Sequence, residues 1–345
     1  MGKPYNPPVP QEDLTESVLE SKVPQKHSGS RLVDYLAIRF PYHSREEWGK
    51  KVIDKAVLVN GEPSQPDKIL SHGERVAYTV VLKEPMVDKS ISLIHEEESF
   101  LVAHKPGQLP SHADGNFIKN TFVFLLHEMM TAKGNARPLR LVHRLDRETS
   151  GLMVVAKNKV AHANLMRQFE EGLVQKEYLA VVQGRVEKDR FEVSGELGRD
   201  PHSSVTIRHA LLPEGSADAR QSLTLFEKVQ ELPNTTLLRC LPRTGRTNQI
   251  RVHLAHIGHS VVGDKLYGKT DAEFLEFIHH VKNGGDPAFE GKAETSRQLL
   301  HAGKLTFNHP ETGERVSFSD PIPEDMQKYM DQQAGGRTDQ EIQET

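Results

Sequence analysis

The residues 143–148, "HRLDRE", place five ionisable side chains in six positions, directly before Thr149, Ser150, Gly151 and an apolar run from Leu152 to Ala156. Asp146 stands between Arg144 and Arg147. Cations on both sides favour its ionised form. An ionised carboxylate at the mouth of a strand can act as nucleophile, base or electrostatic stabiliser. Alone, the stretch reads equally well as a solvated turn, the ordinary fate of clustered charges. Gly151 permits a tight turn into the strand.

Two further stretches carry polar groups beside apolar ones. In "QKEYLAVV", Lys176 and Tyr178 are two apart, which puts them on one face of a strand. A cation and a flat ring on one face suit a nucleobase attached to a phosphate chain, although an amphipathic strand end has the same pattern. From Arg243 to Lys269 there are five Lys/Arg and one Asp, within a chain of formal net charge −4. Arg246 falls in a Thr-Gly turn before a helix. Arg251 falls inside that helix, beside the face marked by Ile250 and Leu254. An arginine at a core edge calls for an acidic partner, and Asp146 is the candidate. His253, His256 and His259 are spaced three apart, but Gly258 breaks the helix before the third and no Glu lies nearby. A metal site is therefore not expected there, nor at His279 and His280.

These groups must be positioned by folded elements. The chain has 345 residues, 36% of them hydrophobic and 27% charged, enough for two globular units. Residues 1–27 are expected to be a flexible N-terminal segment, 28–86 a small domain, 87–330 a larger domain, and 331–345 a flexible tail. In the small domain, "SRLVDYLAIRF" has helical spacing, and Ser44 with Glu47 forms a capping-box pattern before a second helix. "VLVNGEPS" is a strand entering an Asn-Gly turn, and "ERVAYTVVL" is a further strand. In the larger domain, strands are expected at "ISLIHEEESFLVAHKP", "GLMVVAKN", "KEYLAVVQG" and "TLLRCLPR", helices at "KVAHANLMRQFEEG" and "TNQIRVHLAHIG", and a terminal hairpin around "ETGE". Residues 270–296 read as an insertion. Strands and helices mix without regular alternation, so the fold class is α+β with a largely antiparallel sheet. Cys240, the sole cysteine, excludes an internal disulfide and reads as a small buried residue. No apolar run approaches membrane-spanning length, and the N-terminus has no apolar signal core, so a cytoplasmic, membrane-free monomer is expected.

The small domain, through "SRLVDYLA", "SREEWGKKVIDKAVLVNG" and "GERVAY", resembles the RNA-binding domain shared by a ribosomal small-subunit protein and many RNA-modifying enzymes. Arg45, Lys50, Lys51 and Lys55 are its candidate phosphate contacts. The larger domain resembles the RluA-type RNA pseudouridine synthases through "HRLDRETSG" (143–151), "KEYLA" (176–180), "TGRTNQIRVHL" (244–254) and "GDKLYG" (263–268), supported by "HKPG" (104–107) and "LLHAGKLTFNHPETGE" (299–314). Order and spacing agree from residue 29 to about 326. Many members of that family carry the small domain in front.

The resemblance implies isomerisation of uridine in RNA to pseudouridine with no cofactor and no metal. It implies that Asp146 is the catalytic aspartate, Tyr178 the active-site tyrosine and Arg251 the arginine paired with the aspartate. His143, Arg144, Lys105, Lys176 and Arg246 are expected to bind the flipped nucleotide. Large-subunit ribosomal RNA is expected ahead of transfer RNA as substrate. Two positions depart from the family pattern: His104 where Asn is usual, and Asn248 where His is more common. Residues 200–221 are poorer in lysine than the family suggests, which bears on substrate identity. A non-catalytic RNA-binding protein with the same fold and a metal hydrolase are the rival classes.

Overall fold

The structure is a computed structural model that describes residues 12–41, 43–113, 117–282 and 295–335. It divides into two compact units, Glu12–Pro85 and the chain from Met86 onward. No helix of the described residues is long and apolar enough to cross a membrane.

The smaller unit contains β1 (Glu12–Lys22), α1 (Leu32–Arg39), α2 (Arg45–Ile53), β2 (Val57–Val59), β3 (Glu62–Pro63) and β4 (Arg75–Pro85). Its strands pair antiparallel in the order β1-β4-β2-β3. Ser44 caps α2 with both bonds of the capping box, and Asn60 and Gly61 both take positive φ in the β2–β3 turn, as a two-residue hairpin requires. Trp48, Tyr35, Leu36 and Val52 fill the core between helices and sheet. Residues 12–22 depart from the expected flexible segment. The stretch is rich in acids and reads as polar, but its backbone pairs with β4 along its whole length. Such pairing depends on a partner more than fifty residues away and leaves little local signature.

The larger unit contains β5 (Ser92–Glu96), β6 (Phe100–Lys105), α3 (Phe122–Ala132), β7 (Arg140–Leu141), β8 (Ser150–Ala156), α4 (Lys159–Glu170), β9 (Gln175–Gln183), β10 (Arg190–Arg199), β11 (His209–Leu212), β12 (Arg220–Glu231), β13 (Thr235–Pro242), α5 (Gln249–His256), α6 (Asp271–Lys282), β14 (Leu300–Asn308), β15 (Arg315–Ser319) and α7 (Glu324–Gly335). Eleven strands form one sheet in the order β11-β10-β12-β13-β9-β14-β8-β6-β5, with β15 on β14 and β7 on β8. The β8–β14 pair is parallel and the other pairs are antiparallel. The fold is thus α+β with a largely antiparallel sheet.

Helices cover both faces of this sheet. All seven residues of β8 are buried. Leu152, Val154 and Ala156 pack with α4, and Met153 and Val155 with α3. That two-sided burial explains why the strand reads as an unbroken apolar run. On β9, Ala180 and Val182 pack with α5, and Leu179 and Val181 with α7. Helix α7 runs to Gly335, so residues 331–335 of the expected tail are helical, anchored by buried Met326, Tyr329 and Met330. Residues 336–345 lie outside the described residues. In the expected insertion, residues 271–282 form α6, with Phe274 and Phe277 packed beside Val252 of α5, and residues 283–294 lie outside the described residues.

One glycine sets the approach of the two central strands. Gly151, at φ 118°, pairs with Ala302 of β14. A Cβ there would lie 2.4 Å from the Ala302 oxygen and 2.6 Å from its nitrogen. Only glycine allows β8 and β14 to lie so close immediately after the charged loop.

Candidate active site

Asp146 sits in the loop that joins β7 to β8, four residues before the strand begins. The loop is fastened along its backbone. Ser111 Oγ donates to the Leu145 carbonyl at 2.6 Å and accepts from the Leu145 N–H at 3.1 Å. Lys105 Nζ donates to the Arg147 carbonyl at 3.2 Å, and Arg297 Nη1 to the Glu148 carbonyl at 3.2 Å. Gln298 Nε2 donates to Thr149 Oγ1 at 2.8 Å. The Glu148 carboxylate accepts from Lys265 Nζ at 2.9 Å, which joins this loop to "GDKLYG". A loop so fastened holds its carboxylate without help from a bound molecule.

Arg251 reaches the loop from α5. Its Nη1 donates to Asp146 Oδ2 at 2.9 Å and to Asn248 Oδ1 at 3.1 Å. Nε and Nη2 form a bidentate pair with Asp264 at 2.6 and 2.9 Å. The guanidinium also lies over the Tyr267 ring, 4.9 Å from its centroid, a favourable site for a cation. The Asp264 side chain is fully buried, whereas Asp146 keeps 29% of its side chain exposed. Asp146 Oδ1 makes no hydrogen bond among the described residues. The expected Asp146–Arg251 contact is present, but Asp264 makes the stronger claim on the arginine, since two aligned charge-assisted bonds exceed one. Asn248 caps α5 from a left-handed conformation at φ 56°, which asparagine tolerates. Its amide donates to Tyr267 Oη at 3.0 Å.

Tyr178 lies on β9, half-buried, where the α5 core and the α3 core meet. Burial, then the negative charge of Asp146, pushes its hydroxyl above the ordinary phenol range. Lys176, on the same face of β9, donates to the Thr244 carbonyl at 3.3 Å. Burial and the neighbouring Arg246 lower its pKa. Arg246 Nε donates to the Gln221 carbonyl at 3.1 Å. The turn that carries Arg246 is shaped by Gln249, whose side chain bonds Thr244 Oγ1, the Arg246 N–H, the Leu223 carbonyl and Thr224 Oγ1.

One expected nucleotide contact, Lys105, is corrected. Lys105 has no exposed surface. Its ammonium donates to the carbonyls of Pro106, Leu109 and Arg147, so all three N–H groups are engaged inside the protein. Burial, and then the positive charge of Arg297, brings its pKa down to about 7. His143 accepts the Val154 N–H on Nε2 at 3.0 Å and stacks on Phe169 at 4.7 Å. Burial, then the nearby Lys176, pushes its pKa down to about 3. Lys105 thus positions the loop from behind, and His143, fastened to Val154 and Phe169, stays partly exposed. Arg144, in contrast, is exposed and has no side-chain partner among the described residues.

In the smaller unit, Arg45 Nε bonds Asp34 at 2.6 Å, while Lys50 and Lys55 are exposed and Lys51 half-buried. Among the described residues no group of three His, Cys, Asp or Glu could hold a metal. His253 is buried against Ser222 Oγ at 2.9 Å, and His259 Nδ1 lies 2.9 Å from the Gln183 carbonyl. Sequence reasoning missed Asp264, Tyr267, Glu148, Ser111 and Arg297. Asp264 did carry a signal, as the one acid in the basic segment 243–269; Glu148 and Tyr267 had none beyond their motifs, and Ser111 and Arg297 lie outside every motif.

Residues 99–256 match the sequence model of the RNA pseudouridylate synthase family. The chain is 35% identical over 322 residues to ribosomal large subunit pseudouridine synthase D of Neisseria meningitidis serogroup B, covering 90% of this chain and 81% of the relative. It is 36% identical over 317 residues to an uncharacterized RNA pseudouridine synthase of Aquifex aeolicus, covering 89% and 94%. Among solved structures, human RNA pseudouridylate synthase domain containing 1 superposes with a TM-score of 0.53 at 29% identity, covering 70% of this chain and 86% of that one. With relatives of this identity along most of its length, the chain belongs to the RNA pseudouridine synthases and is an isomerase.

Proposed function

We propose that Asp146 is the reactive carboxylate of this synthase and that the substrate is large-subunit ribosomal RNA. The observation that carries the first part is the asymmetry of two carboxylates on one guanidinium. Asp264 is sealed in the protein, and Asp146 is partly open with one oxygen free.

The reaction breaks the N1–C1′ bond, turns the uracil and joins C5 to C1′. No group is lost and nothing is oxidised, so the balance needs a proton taken from C5 and a proton delivered to N1, which has lost its bond to the sugar. Breaking a glycosidic bond builds positive character on the sugar, which a carboxylate stabilises or traps. Arg251 holds Asp146 by Oδ2, which leaves Oδ1 to face the reacting nucleotide. The Tyr178 ring would lie against the base, and its hydroxyl would assist departure of the C5 proton. Since that hydroxyl stays protonated at neutral pH, it must pass on its own proton as it accepts one.

A uridine inside a helix must leave its stack first, at a cost of a few kcal/mol. Phosphate contacts from exposed cations offset this. Arg144 beside Asp146 is suited to that role, joined by the partly buried Lys176 and Arg246 at the neighbouring turn. Lys50, Lys51 and Lys55 offer a second basic surface in the smaller unit. The choice of ribosomal over transfer RNA is supported by the named function of the Neisseria relative. That substrate would place the enzyme with ribosomes, in the cytoplasm.

Pseudouridine mapping of ribosomal and transfer RNA, with and without the gene, tests the substrate. Loss of one or more sites from large-subunit ribosomal RNA is expected. Loss confined to transfer RNA, or no loss, overturns this assignment.

A further inference from the structure

Arg251 is fixed independently of Asp146. Asp264 takes its Nε and Nη2, and Asp264 Oδ1 also accepts the N–H groups of Leu266 and Tyr267 at 2.9 Å each. Asn248 takes one N–H of Nη1, and the Tyr267 ring closes one face. The position of Asp264 is itself set by Gly263, at φ 77°, where a Cβ would lie 2.0 Å from Thr295 Oγ1 and 2.2 Å from the Arg297 oxygen. The guanidinium charge is therefore matched by a buried carboxylate whether or not Asp146 is engaged. One N–H of Nη1 remains for Asp146.

We infer that Asp264 is a positioning residue: it holds Arg251 so that the arginine presents a single N–H to Asp146 rather than a bidentate fork. A fork would occupy both Asp146 oxygens and draw the carboxylate onto the arginine. The single bond orients Asp146 by Oδ2 and leaves Oδ1 uncommitted. When Asp146 turns to a bound nucleotide, Arg251 keeps its partners and no bare cation is left in the site. This inference rests on the proposed role of Asp146.

Asp264→Asn is the direct probe, because the asparagine oxygen at the Oδ1 position can still accept from Leu266, Tyr267 and Arg251 Nη2, while its amide nitrogen at the Oδ2 position faces the Arg251 Nε–H and breaks the bidentate pair. The test is a double-mutant cycle with Arg251→Gln, reading kcat and RNA Kd separately, with Asp146→Asn assayed alongside. Asp264→Asn is expected to lower kcat about 100-fold with Kd changed less than about threefold. In the Arg251→Gln background it is expected to change kcat by less than about threefold, because a residue that acts through Arg251 has nothing left to position. A purely structural role predicts multiplied effects. Should Asp264→Asn alone not fold, the double variant compared with Arg251→Gln carries the test. Equal rates support the inference, and a further loss of tenfold or more overturns it. If Asp146→Asn is as fast as wild type, the reading of Asp146 fails and this inference with it. If Asp146→Asn is inactive and the cycle is multiplicative, only the role of Asp264 fails.

Discussion

Lys105 donates from a fully buried ammonium to the carbonyl of Arg147, the residue after Asp146, at 3.2 Å. Its other two N–H groups bond the carbonyls of Pro106 and Leu109 at 2.9 and 2.8 Å. The residue is thus a clamp on the carboxylate loop, and its cost is a charge held out of water. Its pKa of about 7 lies well below the ordinary 10.5, with burial the larger cause.

A stability dependence on pH follows. Below pH 7 both folded and unfolded chains hold the proton. Between about pH 7 and 10.5 the unfolded chain keeps a proton that the folded chain has lost, so this group's contribution to stability rises with pH, by roughly 1 kcal/mol per pH unit. Urea unfolding at about pH 7 and about pH 9 should show wild type gaining on Lys105→Met. A parallel pH dependence in the two proteins would contradict the burial of the Lys105 charge.

Gly151→Ala should damage the fold more than any change in the neighbouring charges. The added Cβ meets the Ala302 backbone on β14, which cannot move aside as a flexible side chain would. Strain and displacement together should cost roughly 3 kcal/mol or more, a fall in melting temperature of about 10 °C. Gly134→Ala is the control, with a similar positive φ of 81° and nothing within 4 Å. It should cost about 1 kcal/mol. Similar melting temperatures for the two variants would contradict the close approach of β8 and β14.

His143 and Arg144 are adjacent and should separate cleanly. His143→Ala removes the acceptor for Val154 and the stack on Phe169, so it should lower stability by about 2–3 kcal/mol. Arg144→Ala should leave stability and kcat alone, weaken RNA binding, and reduce the salt slope of binding by about one. Thermal melts and binding titrations at several salt concentrations would show it. A salt slope unchanged by Arg144→Ala would remove this residue from the RNA contact.

Tyr178 should contribute no ionisation to the pH–rate profile below about pH 10, since burial and Asp146 hold its phenol protonated. Tyr178→Phe should lower kcat about 100-fold or more if the hydroxyl relays the C5 proton, with RNA Kd little changed because the ring remains. Retention of full kcat by Tyr178→Phe would leave the ring with a packing role alone.

Local signals were legible wherever one segment determined them. The Ser44–Glu47 capping box, the Asn60-Gly61 turn and the apolar run of β8 are each set by neighbours in the chain. The Asp146–Arg251 contact was legible because a charge at a helix edge needs a partner and the motifs supplied one. Strand β1 was not legible, since backbone pairing to β4 is indifferent to its acidic residues. Lys105 was misassigned to the nucleotide because a cation inside a motif reads the same whether it faces solvent or core. Its direction is decided by the carbonyls it meets, that of Arg147 forty-two residues on among them. Asp264 counted as one negative charge in a basic stretch, and only the folded chain sets it beneath Arg251.

The most direct test of the proposed role of Asp146 is release of tritium from C5 of uridine in large-subunit ribosomal RNA lacking the modification. Wild type should release it, and Asp146→Asn, folded and binding the same RNA with unchanged Kd, should release none above background. Equal release by the two proteins would contradict Asp146 as the reactive carboxylate.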